Sequence, residues 1–472
     1  MVNIVEGLKV KISFLLLFLG LEFSSLAAFL FFTESGQSEL AWVSFLAPFQ
    51  ILLWSIFANK DARLLSFLVF MIPLSVLNLL PAIYRHYVLL PITLGLLLFL
   101  RWNWFSFEQE VNKRHFSPVD RFFPIALIIW IVLSLVLTLD RGWGSSYLIK
   151  TNFYTLQIFI IGYFCATVPE NLSDVRGLLM ASIFGSIAAI LLMLLIMQLE
   201  GAANWLSFKR VPISFGLIDF NAVGAIVAGN AVALLGLYVT RQARRITALG
   251  IVFLLVILVL TRSRGAWLGF GIAFLYLLFR TRSFELTILG GVAGAIIMLT
   301  DILKNIFTTR LTETSVGDPA LAGRAVLWLF AWRVAKANWL FGVGWENFRL
   351  IKPIYGFPSQ LVRNWTDYNA HNIFLEIMAD LGLVGLLLFL GLFFLTLIQL
   401  DRSARRKDSP AQGLALALNA AIICFLVHGL WDCLSYTFLV LGIWVGLAMA
   451  LKSLLPFPKV PSFQFHVLRT KN

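Results

Sequence analysis

Apolar runs of about 18–22 residues recur from one end of the chain to the other, and no other feature limits its fold so tightly. Each run has the length that a helix needs to cross about 30 Å of hydrocarbon at about 1.5 Å per residue. The composition agrees: the chain is 60% hydrophobic and 13% charged, where a soluble domain holds about 45–50% apolar and about 25% charged residues. The spacing predicts spans at about 11–32, 40–57, 64–82, 86–101, 122–139, 151–168, 176–198, 220–239, 246–261, 264–280, 285–302, 372–400, 411–430 and 434–453. The expected fold is therefore all-α, a polytopic membrane helix bundle of about 12–14 transmembrane helices. The first run carries Glu22 and lacks a small-residue cleavage site, so it is expected to stay as a helix and not be removed as a signal peptide.

The net charge of +13 would suggest nucleic acid in a soluble protein. In a chain of many spans, the sidedness of Lys and Arg accounts for it better. With the N-terminus placed in the cytoplasm, about 22 of the 37 Lys and Arg fall in cytoplasmic segments and about 7 in short external loops. That asymmetry sets the orientation, and an even number of spans returns the C-terminus to the cytoplasm. Cys165, Cys424 and Cys433 form no metal-binding or disulfide pattern.

Four regions follow: N-terminal transmembrane helices (1–200), transmembrane helices carrying arginine sites (201–302), an external loop (303–371), and C-terminal transmembrane helices with a cytoplasmic tail (372–472). The loop is far longer than a simple connector. Its stretch "RAVLWLFAWRVAKANWLFGVGWENF" mixes Trp, Leu and Phe with Arg324, Arg333 and Lys336 at near-helical spacing. Two structures fit: an interfacial helix with aromatics toward lipid and cations toward water, or a packed cap over the bundle. "FGVGWENF" reads as a turn that ends this helix.

This topology gathers one set of polar groups on the external side. His86, His371 and His428 lie at or near that face, whereas His115 and His466 are cytoplasmic. Lys209 and Arg210 precede one span, and Arg262 and Arg264 lie in "LTRSRGAWLGF". Side chains two apart on a helix diverge by about 200°, so Arg262 and Arg264 cannot both face inward. Gly265 and Gly269 permit close packing and would turn Arg264 toward the bundle. The plainer alternative for each arginine is a charge snorkelling to the headgroups. Asp219 and Asn221 fit a helix cap. At "YNAHNIFLEIMADLGLVG", His371 opens an apolar helix, Asn372 would cap it or orient the imidazole, and Gly382 and Gly385 would let another helix approach.

Arginines at a membrane surface suit a phosphate or diphosphate, because the guanidinium fork matches phosphate oxygens. A neutral imidazole suits a general base for an attacking hydroxyl. Together they describe group transfer, with Arg neutralising a leaving diphosphate while His activates an acceptor. Asp140, Asp219, Asp301, Glu346 and Asp367 are scattered, so no metal is implied.

The stretch "HNIFLEIMADLGLVG" fits H-[NSQ]-x9-G-x-x-G and resembles the O-antigen ligase and polymerase superfamily over roughly residues 200–450. "SRGAWLG" and the loop stretch are similar to its other blocks. Arg210 with "DFN" resembles its arginine block, with Phe220 in place of the usual proline. The resemblance implies a GT-C-like membrane glycosyltransferase in the bacterial inner membrane that inverts configuration and uses neither metal nor cofactor. Its donor would be a glycan on undecaprenyl diphosphate, and its acceptor a hydroxyl of a glycan or of lipid A-core on the outer face. His371 would activate the acceptor, Arg264 would hold the diphosphate with help from Arg210 and Arg324, and Asn372 would contact substrate. The main rival is a transporter of a small anion such as bicarbonate, for which Glu22 within a span is the best evidence. Against it, the chain shows no interrupted half-helices repeated in its two halves.

Overall fold

The structure is a computed structural model. It describes residues 118–139, 145–199, 220–241, 244–299, 319–348, 369–405, 410–433 and 437–455, with isolated positions between 65 and 73, at 116, between 212 and 217, and at 351, 355 and 356. The expected spans at 11–32, 40–57 and 86–101 and most of 64–82 lie outside these residues. So do Glu22, His86, His115, Asp140, Lys209, Arg210, Asp219, Asp301, Asp367 and His466.

Each expected span from residue 122 onward is a helix, with ends moved by a few residues. They are α1 (Pro118–Leu139), α2 (Ser145–Thr167), α3 (Leu172–Leu199), α4 (Phe220–Val239), α5 (Arg244–Leu260), α6 (Arg264–Thr281) and α7 (Phe284–Leu299). After the loop helix α8 (Pro319–Ala337) come α9 (Ile373–Ala404), α10 (Pro410–His428) and α11 (Phe438–Leu454). The only strands among the described residues are β1 (Pro212–Ile213) and β2 (Gly216–Leu217), an antiparallel pair just before α4. Residues 172–195, 220–239, 373–404 and 411–428 are long and apolar enough to cross a membrane. Large apolar side chains such as Leu249 (75% exposed) and Phe279 (76%) face outward, as lipid-facing positions do. The protein is an all-α membrane helix bundle.

Small residues set the packing. α4 is the most enclosed helix, with a continuous buried run through its middle. A Cβ added at Gly236 would sit 2.7 Å from the backbone nitrogen of Ala417 in α10, and one at Gly446 in α11 would sit 2.2 Å from the Gly162 carbonyl in α2. These are backbone-on-backbone approaches that only glycine allows, the usual basis of helix association in lipid. Gly265 and Gly269 likewise bring α6 onto α10: a Cβ at Gly269 would lie 2.5 Å from the Cys424 carbonyl.

The loop helix α8 is a packed cap on one face. Leu327, Phe330, Ala331 and Val334 form a second core with Val343, Phe348, Ala370 and Ala379. Its other face leaves Leu329 and Trp332 exposed beside Arg333 and Lys336. Beyond α8, residues 339–348 dock into a break in α9. Gly382 there has φ 68° and ψ −171°, outside any helical region. The backbone N–H groups of Val343 and Gly344 donate to the carbonyls of Ala379 and Asp380 at 3.0 and 2.8 Å. Trp130 of α1 donates to the Leu381 carbonyl at 2.8 Å, and the Leu383 N–H donates to the Trp339 carbonyl at 2.7 Å. Groups freed by the break are thus satisfied by the cap and by Trp130 of α1, as burial requires. Gly382 therefore admits the loop backbone, not another helix, and a Cβ at Gly385 would meet its own helix at Leu381.

Candidate functional site

The start of α9 fixes His371. Asn372 is the N-cap: its side-chain oxygen accepts from the N–H groups of Phe374 and Leu375, both at 3.0 Å, satisfying two donors that a helix start leaves open. Its amide nitrogen donates to the Leu430 carbonyl at 3.0 Å, tying α9 to the connector after α10. Glu376 reaches back and accepts from the Ala370 N–H at 2.8 Å and from the Cys433 thiol. Between these anchors His371 adopts a left-handed φ of 49°, a conformation that costs a non-glycine residue about 1 kcal/mol or more and is held by its surroundings. Trp328 of α8 donates to its carbonyl at 3.4 Å.

The buried imidazole faces Asp432, with Nδ1 3.0 Å from Oδ1. An ionised carboxylate can only accept, so Nδ1 carries the proton and donates, which leaves Nε2 as the basic nitrogen. Burial by itself would raise the Asp432 carboxyl. The facing His371 ring and its hydrogen bond, with the charges of His428 and Arg324, outweigh burial and hold Asp432 well below the usual carboxylate range. The Cys433 N–H adds a further bond to Oδ1 at 2.8 Å. Sequence reasoning missed Asp432. Its only signal is position, as the first acid after a span that ends on the His371 side.

Arg324 lies on α8, half-buried, near enough for its charge to act on Asp432. Arg264 is the first residue of α6 and half-buried. Ser263 caps that helix, accepting from the Ala266 N–H at 3.4 Å and donating to Asn221 of α4 at 2.9 Å. Asn221 thus anchors the α5–α6 turn. Arg262, at φ 50°, makes that turn. A Cβ on Gly265 would lie 2.5 Å from Cδ2 of His428 and 3.4 Å from Cβ of Trp431. The start of α6 therefore rests on the 428–432 turn that also supplies Asp432. The structure brings His371, Asn372 and Arg324 to this turn and seats the first turn of the Arg264 helix against it, while Arg210 lies outside the described residues.

Residues 249–390 match the family model described as O-antigen ligase. That segment holds Arg264, Arg324, His371 and Asn372, while Asp432 lies beyond it. Two similar proteins carry the provisional name polysaccharide ligase. The one from Rickettsia conorii is 26% identical over 312 residues, covering 62% of this chain and 72% of its own. The other, from Rickettsia felis, is 24% identical over 312 residues, covering 63% and 73%. O-antigen ligase similarity and polysaccharide-ligase relatives together support a membrane enzyme that joins glycans.

Proposed function

We propose that the protein is an inverting glycosyltransferase that moves a glycan from undecaprenyl diphosphate to an acceptor hydroxyl at the outer face of the cytoplasmic membrane. The observation that carries this reading is the His371–Asp432 pair, 3.0 Å apart and buried, beside a turn that touches the start of the Arg264 helix. Asp432 orients the ring and stabilises the imidazolium that forms, and Nε2 takes the acceptor proton. The acceptor oxygen then bonds to the anomeric carbon as the bond from that carbon to the phosphate oxygen breaks. Undecaprenyl diphosphate leaves with its charge met by Arg264, Arg324 and Arg210. Attack opposite the leaving group inverts the anomeric centre.

An apolar cavity of about 360 Å³ between α1, α2, α9 and α11 reaches Trp345, Ile377 and Leu381. It includes neither His371 nor Asp432, so it suits a lipid tail and not the reacting groups. The resemblance implies no metal, and chelator treatment should leave transfer intact.

The test is mass spectrometry of lipid-linked glycans in host cells lacking the protein, rescued with wild type, His371→Ala or Asp432→Asn. Glycan should accumulate on the carrier lipid in the deletion and in both variants, with transfer down at least about 100-fold for His371→Ala. Long accumulated chains would identify a ligase and single repeat units a polymerase. Unchanged lipid-linked glycans in the deletion would remove the transferase reading and return the anion transporter.

A further inference from the structure

The apolar cavity between α1, α2, α9 and α11 has a charged end and a blind end. Among the described residues, Asp120 and Arg121 are the only charged ones that line it, and both stand where α1 begins. Lys452 of α11 and the Gln399 amide each donate to one oxygen of Asp120. Arg121, exposed at the mouth, therefore sets the sign there, and Lys113 and Arg114 precede it in the sequence. The opposite end meets Trp345 of the cap. Its Nε1 donates to the Thr155 hydroxyl at 2.6 Å, and its backbone N–H donates to the Ser134 hydroxyl at 3.3 Å. Ile131, Ile377 and Phe438 line the same end. Along the side, Ile125 (53% exposed) and Tyr163 (51%) line the cavity yet reach the surface, which leaves a lateral opening between α1 and α2.

Size and depth both match one acyl chain. The cavity holds about 360 Å³. An apolar cavity of about 150 Å³ takes one benzene, so this one takes about 14 carbons. From Arg121 to Ile131, α1 rises about 15 Å, and from Thr167 to Thr155, α2 rises about 18 Å. Each is about half of a hydrocarbon layer about 30 Å thick, the depth of one leaflet. A void beside lipid forfeits dispersion contacts that a chain inside it restores. The donor's tail fits this space poorly. Its diphosphate belongs beside His371, Trp345 bars entry from that end, and an undecaprenyl chain is several times larger than the cavity.

We propose that the cavity binds one anionic phospholipid of the leaflet at the Arg121 end, with its phosphate on Arg121 and one acyl chain running up to Trp345. By the Lys and Arg asymmetry that is the cytoplasmic leaflet, where basic pockets between spans hold anionic headgroups. The chain then props the cap from below, through Trp345, beside the break in α9 at Leu381. This site is separate from the transfer chemistry and goes beyond it.

The experiment is native mass spectrometry of the full-length protein released from nanodiscs of equal dioleoyl phosphatidylglycerol and dioleoyl phosphatidylcholine, after annular lipid is stripped. Wild type should retain one lipid, phosphatidylglycerol over phosphatidylcholine by about fivefold, equivalent to about 1 kcal/mol for one cation near an anionic surface. Arg121→Gln should keep a lipid and lose the preference. Ala166→Trp fills the cavity and should lose the lipid. Ile128→Trp fills the same space and serves if thermal unfolding shows that Ala166→Trp does not fold. Wild type without a retained lipid, or a lipid retained unchanged when the cavity is filled, overturns the site. Equal retention of the two lipids, or an unchanged preference in Arg121→Gln, overturns the headgroup assignment. Undecaprenyl phosphate that displaces phosphatidylglycerol from wild type when added in equal amount gives the cavity to the donor, which also overturns the proposal.

Discussion

At the scale of single residues, the site depends on what fits beside it as much as on what reacts. Gly265 touches the His428 ring, and an added methyl would lie 2.5 Å from Cδ2, nearer than carbon atoms approach without displacement. Gly265→Ala should push the 428–432 turn away from α6, cost about 1–3 kcal/mol and depress transfer, as read by thermal unfolding and the lipid-linked glycan profile. Gly271 lies on the same helix with nothing within 4 Å of an added Cβ, so Gly271→Ala should fold and work normally. Arg264→Lys should lose most activity if the bidentate fork holds the diphosphate, while a fully active variant would reduce Arg264 to a field effect. His371 and Arg264 were legible in the sequence because each sits in a dense local motif. Asp432 was not, because its meaning comes from a contact across 61 positions that exists only once α10 returns its end to the start of α9. Asn372 was legible as a cap, and its bond to the Leu430 carbonyl, which closes that return, was not.

Helices were the easiest elements to read, because a run of apolar residues bounded by charge has one solution in lipid. The break inside α9 was hidden by the same uniformity. Gly382 sits in "MADLGLVG" like any small packing residue, and only the fold shows its φ of 68° and the loop backbone lodged against it. An added Cβ would sit 2.3 Å from the Leu340 carbonyl, in a backbone region essentially reserved for glycine. Gly382→Ala should therefore cost about 3 kcal/mol or more and detach the cap, seen as a lowered unfolding temperature and faster proteolysis after α8. Asp380 is the matching clamp: its carboxylate accepts from the N–H groups of Glu346 and Phe348 at 2.8 and 2.9 Å. Asp380→Ala should loosen the same segment by about 2–4 kcal/mol, since it leaves buried donors unpaired. An interrupted span is also a transporter feature, but there it recurs in both halves of a chain. Among the described helices α9 alone is interrupted, and its break holds the cap instead of opening a path.

Across the whole molecule the two ends of the bundle differ in kind. One end carries His371, Asp432, Arg324 and the cap. The other carries structural ion pairs: Arg280 and Arg405 on Asp401, and Lys452 on Asp120. α9 joins them over roughly 45 Å at about 1.5 Å per residue. Which end faces out rests on the Lys and Arg asymmetry, and the buried cysteines make that directly measurable. Cys165, Cys424 and Cys433 are all free and buried, so a membrane-impermeant maleimide should leave the native chain unlabelled. Arg333 on α8 and Arg402 at the far end of α9 are both exposed, so a single cysteine at either should react once reached. On intact cells Arg333→Cys should label and Arg402→Cys should not, and permeabilised cells should label both. The reverse pattern would turn the His371 end toward the cytoplasm. A glycan carried on the outer leaflet could not then reach the imidazole, and the transfer would have to draw on a donor at the inner face instead.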